Sequence, residues 1–327
     1  MVHHFSRRTF VKATSGLLVR VAAGASVPLM NILPTAHAQT SPVVWMAKVG
    51  DATKISRLSI PGTHESCAIY KGGPLVICQS MSLQEQLDAG IRFLDIRCRH
   101  TGNAFAIHHE SVFQGLMFGG GVRDVCINFL KAHPSECIVM SIKEEYDATD
   151  NTHTFEDIFD SYVAGLERFW YLGDGIPAMK DVRGKIVLLR RFPASRLPKG
   201  IDASPWPDHA AFEVRYADVI LEIQDYYKVY TILPANINAK WGAIRNLLDR
   251  AKADTSDTWY LNFTSGVSAF AYPNAVAARI NPNLSDYIDA YLSDTYSGTN
   301  PSMNKLGTLV MDFPDQGLIK LIISANR

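Results

Sequence analysis

The chain has 327 residues, and its 32 Lys and Arg balance its 32 Asp and Glu. It carries no Lys/Arg run, which excludes the electrostatic footprint of a nucleic-acid-binding protein and any strong general attraction to an anionic membrane, so lipid recognition must be local. The five cysteines (Cys67, Cys78, Cys98, Cys126 and Cys137) are odd in number and follow no metal-ligand spacing; they read mainly as buried thiols, with a Cys67–Cys78 disulfide left open.

In chain order, Ser6-Arg7-Arg8-Thr9-Phe10-Val11-Lys12, a modestly apolar stretch and Ala36-His37-Ala38 read as a twin-arginine export signal cleaved after Ala38. Val21 to Leu33, broken by Pro28 and Asn31, is too short and polar to span a bilayer. The expected mature protein is periplasmic or secreted. Removing residues 1–38 takes away Arg7, Arg8, Lys12 and Arg20 and no acid, leaving 28 basic residues against 32 acidic ones and a net charge of −4. Residues 39–327 suit one large domain.

Eight short apolar runs read as strands: Ile55 to Ile60, Phe93 to Arg97, Phe105 to His108, Ile138 to Lys143, Ile186 to Arg191, Val219 to Ile223, Trp259 to Phe263 and Leu309 to Asp312. Helical patterns lie between several of them. Ser82-Leu83-Gln84-Glu85 is a capping box with Gly90 as its stop. Val122, Val125, Phe129 and Leu130 form one apolar stripe, and Ile158, Tyr162, Leu166 and Phe169 another. This alternation implies a largely parallel sheet. Nearly every strand ends in a polar group, namely His64, Arg97, His109, Lys143, Arg191, Asp225, Thr264 and Asp312, which favours a single irregular (β/α)8 barrel of TIM type with its chemistry at the C-terminal strand ends. A doubly wound open sheet is the alternative. Only about seven residues separate the second strand from the third, too few for a crossover helix.

Ile60-Pro61-Gly62-Thr63-His64-Glu65 presents a histidine beside an acid as the chain leaves a strand. In Ile91-Arg92-Phe93-Leu94-Asp95-Ile96-Arg97, alternation puts Phe93, Asp95 and Arg97 on one face. Of the neighbours His108 and His109, only one can point inward with its strand. Two histidines and an arginine suit cleavage of a phosphodiester by a hydroxyl of the substrate itself: a neutral imidazole takes the hydroxyl proton, an imidazolium protonates the leaving oxygen, and a guanidinium stabilises the phosphoryl charge. His64, Glu65 and Asp95 are also conceivable metal ligands, but a fixed charge on Arg97 opposes a divalent cation and supplies its electrostatic role, so we expect neither a metal nor another cofactor.

Ile60-Pro61-Gly62-Thr63-His64, Asp95-Ile96-Arg97 and His108-His109 together resemble the bacterial phosphatidylinositol-specific phospholipase C family. The resemblance continues in order through Met140-Ser141-Ile142-Lys143, the run from Arg183 to Arg191, Ile223 to Val229, and Leu261 to Ser265. It implies an incompletely closed barrel that cuts phosphatidylinositol to diacylglycerol and inositol 1,2-cyclic phosphate without metal. It further implies His64 as base, His109 as acid, Arg97 as phosphate stabiliser and Asp312 as support for His64. Glu65 stands where the family usually has Asp beside the acid. Lys143, Arg191, Asp225 and Tyr227 match inositol-contacting positions. Leu75, Val76, Ile77, Phe270 and Tyr272 replace the family's rim tryptophans as a shallow apolar edge. The partners expected are phosphatidylinositol or a soluble inositol phosphodiester, a membrane surface touched transiently, and no second subunit. The competing readings are a metal-dependent glycerophosphodiester hydrolase and a non-catalytic inositol-lipid binding module.

Overall fold

A computed structural model describes residues 41–296 and 305–326, with side chains through residue 293 and from residue 305 onward. The expected export signal, 1–38, lies outside the described residues. The strands are β1 (Ile60–Thr63), β2 (Phe93–Thr101), β3 (Ala104–His109), β4 (Val112–Met117), β5 (Ile138–Glu144), β6 (Trp170–Tyr171), β7 (Ile186–Arg191), β8 (Ile201–Asp202), β9 (Ala211–Tyr216), β10 (Val219–Gln224), β11 (Trp259–Phe263) and β12 (Thr308–Met311). The helices are α1 (Leu83–Ala89), α2 (Asp124–Ala132), α3 (Phe155–Val163), α4 (Met179–Val182), α5 (Pro234–Ala253), α6 (Pro273–Tyr296) and α7 (Gln316–Ser324).

Seven strands run parallel in the order β7-β5-β2-β1-β12-β11-β10, with short β6 and β8 along the outer edge of β7 and antiparallel β9 beyond β10. This is the expected irregular barrel, open between β8 and β9 among the described residues. Tyr216 spans the opening: its hydroxyl donates to the Asp174 carbonyl (3.0 Å) and accepts from the Asp202 amide (2.7 Å).

Strand alternation divides the core. Leu94, Ile96, Met140, Ile142, Ile186 and Leu188 face outward to the helices. Ile60, Phe93, Val139, Val187, Leu221, Leu261 and Val310 fill the floor of the barrel. Two or four residues further along the same inward faces stand His64, Asp95 and Arg97, Lys143, Arg191, Asp225 and Asp312. The period of two that buries an apolar floor thus lifts a charged layer above it. The register aligns Arg97 with Lys143 and Lys143 with Arg191. It likewise sets Gly62 beside Val310, which brings His64, two residues on, level with Asp312.

Local signals behave largely as their chemistry dictates. Ser82 and Glu85 form the reciprocal capping box of α1, and Gly90 closes it at φ +109°. Three expectations need correction. Ile55 to Ile60 is not a strand: Ile55–Arg57 is a 3-10 turn whose Ile55 and Leu58, three apart, plug the barrel floor, and extended pairing begins only at Ile60. The helix through Ile158 and Tyr162 stops at Val163 because Gly165 turns the chain at φ +77°; Leu166 and Phe169 pack from that turn and a following 3-10 turn. The third run is no barrel stave. β2 continues to Thr101, reverses at Gly102-Asn103 with both residues at positive φ, and returns antiparallel as β3, the two-residue hairpin such a pair favours. The cysteines match the main expectation: all five thiols are free and buried, Cys67 and Cys78 included.

Gly62 is required by this packing, since a Cβ there would lie 2.8 Å from Cβ of Phe93. Gly62→Ala should destabilise the barrel by about 1–3 kcal/mol through overpacking, measured as a lower urea midpoint at unchanged m.

Candidate active site

A cleft of about 340 Å³ opens at the C-terminal strand ends, a volume suited to a small polar headgroup. Eight of the expected residues line it: His64, Arg97, His109, Lys143, Arg191, Asp225, Tyr227 and Asp312. Glu65 and Asp95 sit buried behind that layer.

His64 lies between two fixed partners. Its Nδ1 is 2.9 Å from Asp312 Oδ1 and its Nε2 is 2.9 Å from Arg97 Nη2. A guanidinium only donates, so Nε2 accepts and Nδ1 carries the proton, donating it to Asp312. The neutral ring therefore presents a lone pair at Nε2, which is the state a general base needs. Gln79 fixes the backbone beneath it, donating to the carbonyls of His64 (2.7 Å) and Met311 (2.9 Å).

His109 arrives from the hairpin instead of from a barrel stave, at the end of β3. Its Nδ1 donates to the Val76 carbonyl at 2.8 Å, which leaves Nε2 for the cleft. His108 turns to the other side, with Nδ1 3.3 Å from the Glu110 carbonyl and its ring against Phe113. Alternation thus separates the two histidines. Burial first, and then the charge of Arg97, pushes the His109 imidazolium below its ordinary range, while the Val76 carbonyl supports it.

Arg97 is the hub. It places Nη1 2.9 Å from Glu65 Oε1 and 3.7 Å from Glu145 Oε2, Nε 3.3 Å from Asp95 Oδ2, and Nη2 against His64. Asp95 also takes the Glu65 amide and lies 3.5 Å from Arg191 Nη1. Burial opposes ionisation of Asp95, but Arg97, Arg191 and His64 together outweigh it and hold the carboxyl down to about 2. Glu65 fares differently. Burial pushes its carboxyl up to about 8 against the pull of Arg97, and the neighbouring Glu145 and Asp95 add to the rise. Its oxygen is 3.8 Å from His109 Nδ1, beyond hydrogen-bond reach, and its backbone holds a left-handed φ of +43°. In the free enzyme the ring of His109 is oriented by Val76, and Glu65 faces Arg97.

On the far wall, Lys143 pairs with Glu145 at 2.8 Å. Arg191 stacks on Trp206 with its guanidinium carbon 3.7 Å from the ring centroid. Its Nε and Nη1 are buried and make no hydrogen bond, so donors stand ready beside the cleft. Arg190 instead faces away and pairs with Asp202. Trp206 donates to Asp225 at 3.0 Å, and the Tyr227 hydroxyl donates to Asp208 at 2.8 Å. Sequence reasoning did not assign Glu145 or Trp206 to the site. Glu145 was open to discovery as the residue two beyond Lys143, just past the end of β5, whereas Trp206 comes from an irregular loop that leaves no periodic signal.

The model of the family described as phosphatidylinositol-specific phospholipase C, X domain, matches residues 59–192, the stretch that supplies His64, Arg97, His109, Lys143 and Arg191. A 1-phosphatidylinositol phosphodiesterase of Staphylococcus aureus (strain Newman) is 34% identical over 280 residues, spanning 78% of this chain and 88% of that protein. The chain belongs to the bacterial phosphatidylinositol-specific phospholipase C family. A second 1-phosphatidylinositol phosphodiesterase of this family, from Listeria monocytogenes serovar 1/2a, is 31% identical over 297 residues, 86% of this chain and 84% of its own. In three dimensions the S. aureus phospholipase C superposes with a TM-score of 0.77 at 30% identity, over 88% of this chain and 99% of that one. The L. monocytogenes enzyme does so at 0.67 and 29%, with the same coverage.

The raised Glu65 pKa has a definite sign. The folded state binds this proton more tightly than the unfolded chain, so the associated stability is full below pH 4.5 and is lost as pH rises through about 8. Glu65→Gln should remove that fall, making the variant the more stable protein near about pH 9 but not near about pH 5, as read from urea unfolding at both.

Proposed function

We propose that the protein cleaves phosphatidylinositol, or a soluble inositol phosphodiester, by intramolecular attack of the ring 2-hydroxyl. His64 Nε2 removes the hydroxyl proton, the freed oxygen bonds to phosphorus, and the bond from phosphorus to the glycerol oxygen breaks. His109, protonated on Nε2, gives its proton to that leaving oxygen. The products are diacylglycerol and inositol 1,2-cyclic phosphate. The observation that carries this reading is the geometry of His64, whose tautomer is fixed from one side by Asp312 and from the other by Arg97.

Arg97 also supports a reaction without metal. Its guanidinium fills the space among His64, Glu65 and Asp95 where a catalytic cation would sit, and it turns a fixed positive charge toward the phosphoryl oxygens. The inositol ring is read by Arg191 and Lys143 as donors and Asp225 as acceptor, with the Tyr227 ring covering an apolar face. Binding of the phosphate dianion-like transition state beside His109 favours its imidazolium, offsetting the burial that disfavours it in the free enzyme.

Membrane contact is proposed at the rim. Phe270 is 78%, Tyr230 67% and Leu233 63% exposed, and Tyr272, Tyr226 and Leu75 add to a surface that the core does not need. Of the expected edge, Leu75, Phe270 and Tyr272 are exposed, while Val76 is occupied in holding His109 through its carbonyl. Export by the twin-arginine route is part of the same proposal, because a lipid in an outer leaflet lies within reach only of an exported enzyme.

Phosphorus NMR of the product formed from phosphatidylinositol in excess chelator should show cyclic phosphate at an undiminished rate; a rate abolished by chelator, or an acyclic product from the outset, would favour the metal-dependent hydrolase. His64→Ala and His109→Ala should each lower kcat by roughly 10²- to 10⁴-fold while inositol still binds, an outcome that a mere binding module would not give. Because the His109 pKa is depressed in the free enzyme, kcat/KM should decline on its alkaline side at lower pH than kcat does.

A further inference from the structure

Cys78 lines the cleft yet takes no part in the chemistry above. Its Sγ lies 3.4 Å from the Val76 carbonyl and 3.9 Å from His109 Nδ1. One donor atom each from His64, Cys78 and Asp312 all fall within 4.8 Å of one another. Asp312 adds an independent pointer: it is 2% exposed, its Oδ1 takes the His64 bond, and its Oδ2 is buried with no hydrogen-bond partner. A buried carboxylate oxygen without a donor is costly, and a cation would satisfy it.

The ligand chemistry selects the cation. Imidazole, thiolate and carboxylate are the donors of zinc and its borderline-soft neighbours, whereas magnesium and calcium take oxygen. Zinc bonds of about 2.0–2.3 Å need the donors to close by about 1 Å, within the reach of side-chain rotation.

We propose that His64 Nδ1, Cys78 Sγ and Asp312 form an inhibitory site for a zinc-type divalent cation. Binding sends the thiol proton to solvent and moves the imidazole proton from Nδ1 to Nε2. The nitrogen that should receive the substrate hydroxyl proton then carries N–H and has no lone pair, so turnover stops; Arg97 Nη2, facing a second donor, turns toward the cleft. Binding stands on the geometry alone, while inhibition rests on His64 being the base.

The test titrates the full chain with zinc chloride alone, by calorimetry and by turnover of an inositol phosphodiester, alongside Cys78→Ser and Cys78→Ala. Expected are one zinc per chain, loss of turnover reversed by chelator, no inhibition by calcium, and variants that turn over normally but bind zinc roughly tenfold or more weakly. Equal zinc affinity in the variants, no zinc binding by the wild type, or equal inhibition by calcium would overturn the site. Zinc bound through Cys78 without loss of turnover would overturn the inhibitory role and, separately, His64 Nε2 as the base. Two substitutions of different polarity and a binding readout keep the result decisive if one variant folds poorly.

Discussion

The Arg97 guanidinium is the constraint around which this site is organised. One cation is shared among the carboxylates of Asp95, Glu65 and Glu145 and the lone pair of His64. It cannot neutralise all three acids, and because Asp95 and Glu65 are equally buried their other partners decide which one yields: Asp95, helped by Arg191 and the Glu65 amide, stays ionised, while Glu65 retains its proton. The same charge disfavours an imidazolium at His109, and its N–H selects the His64 tautomer whose Nε2 accepts. A phosphodiester entering the cleft would relieve this competition by giving Arg97 an anion of its own. Ground-state electrostatics and transition-state electrostatics are therefore set by one side chain in two alliances.

That arrangement depends on an uninterrupted floor. Phe93, Val139, Val187, Leu221 and Val310 pack inside the barrel, and each strand can then extend its inward face by two to four residues into charge. Desolvating so many ions is costly unless they are paired in good geometry, which the parallel register provides by ranking Arg97, Lys143 and Arg191 side by side. The rank sits against a wall of acceptors: Glu145 serves Lys143, Asp95 serves Arg191, and Trp206 covers the latter's flat face.

Much of this was legible in the chain because period-two alternation carries both burial and direction. It placed Asp95 and Arg97 together, separated His108 from His109, and set polar groups at the strand ends. It failed where another period or a turn took over. Ile55 and Leu58 are apolar for packing at a spacing of three, and so were mistaken for part of a strand. Gly102-Asn103 folds β3 back on β2, so that the run ending in His109 became an overhanging hairpin and not a stave. Glu65 was legible as an acid in the right place but not as a protonated one, since its ionisation depends on how three other chains of residues share Arg97. Trp206 belongs to an irregular segment, where no pattern foretells direction.

The wall opposite the histidines is held by a different device, a buried ammonium. Lys240 of α5 donates to the carbonyls of Phe263 (2.6 Å) and Tyr226 (2.9 Å) and lies 3.3 Å from Gln224 Oε1. It thereby ties the ends of β10 and β11 to the loop that carries Asp225 and Tyr227. Burial pushes this lysine down to about 8, against the pull of Asp225 and Asp312. A cation kept under two acids of the cleft lowers the cost of burying them, and it does so without occupying the space the substrate needs. The headgroup wall is thus braced from below by Lys240, as the catalytic wall is braced from within by Arg97. Together with Lys143 and Arg191, these two cations balance the acids of the barrel mouth, and a charged layer this dense can therefore rest on an apolar floor.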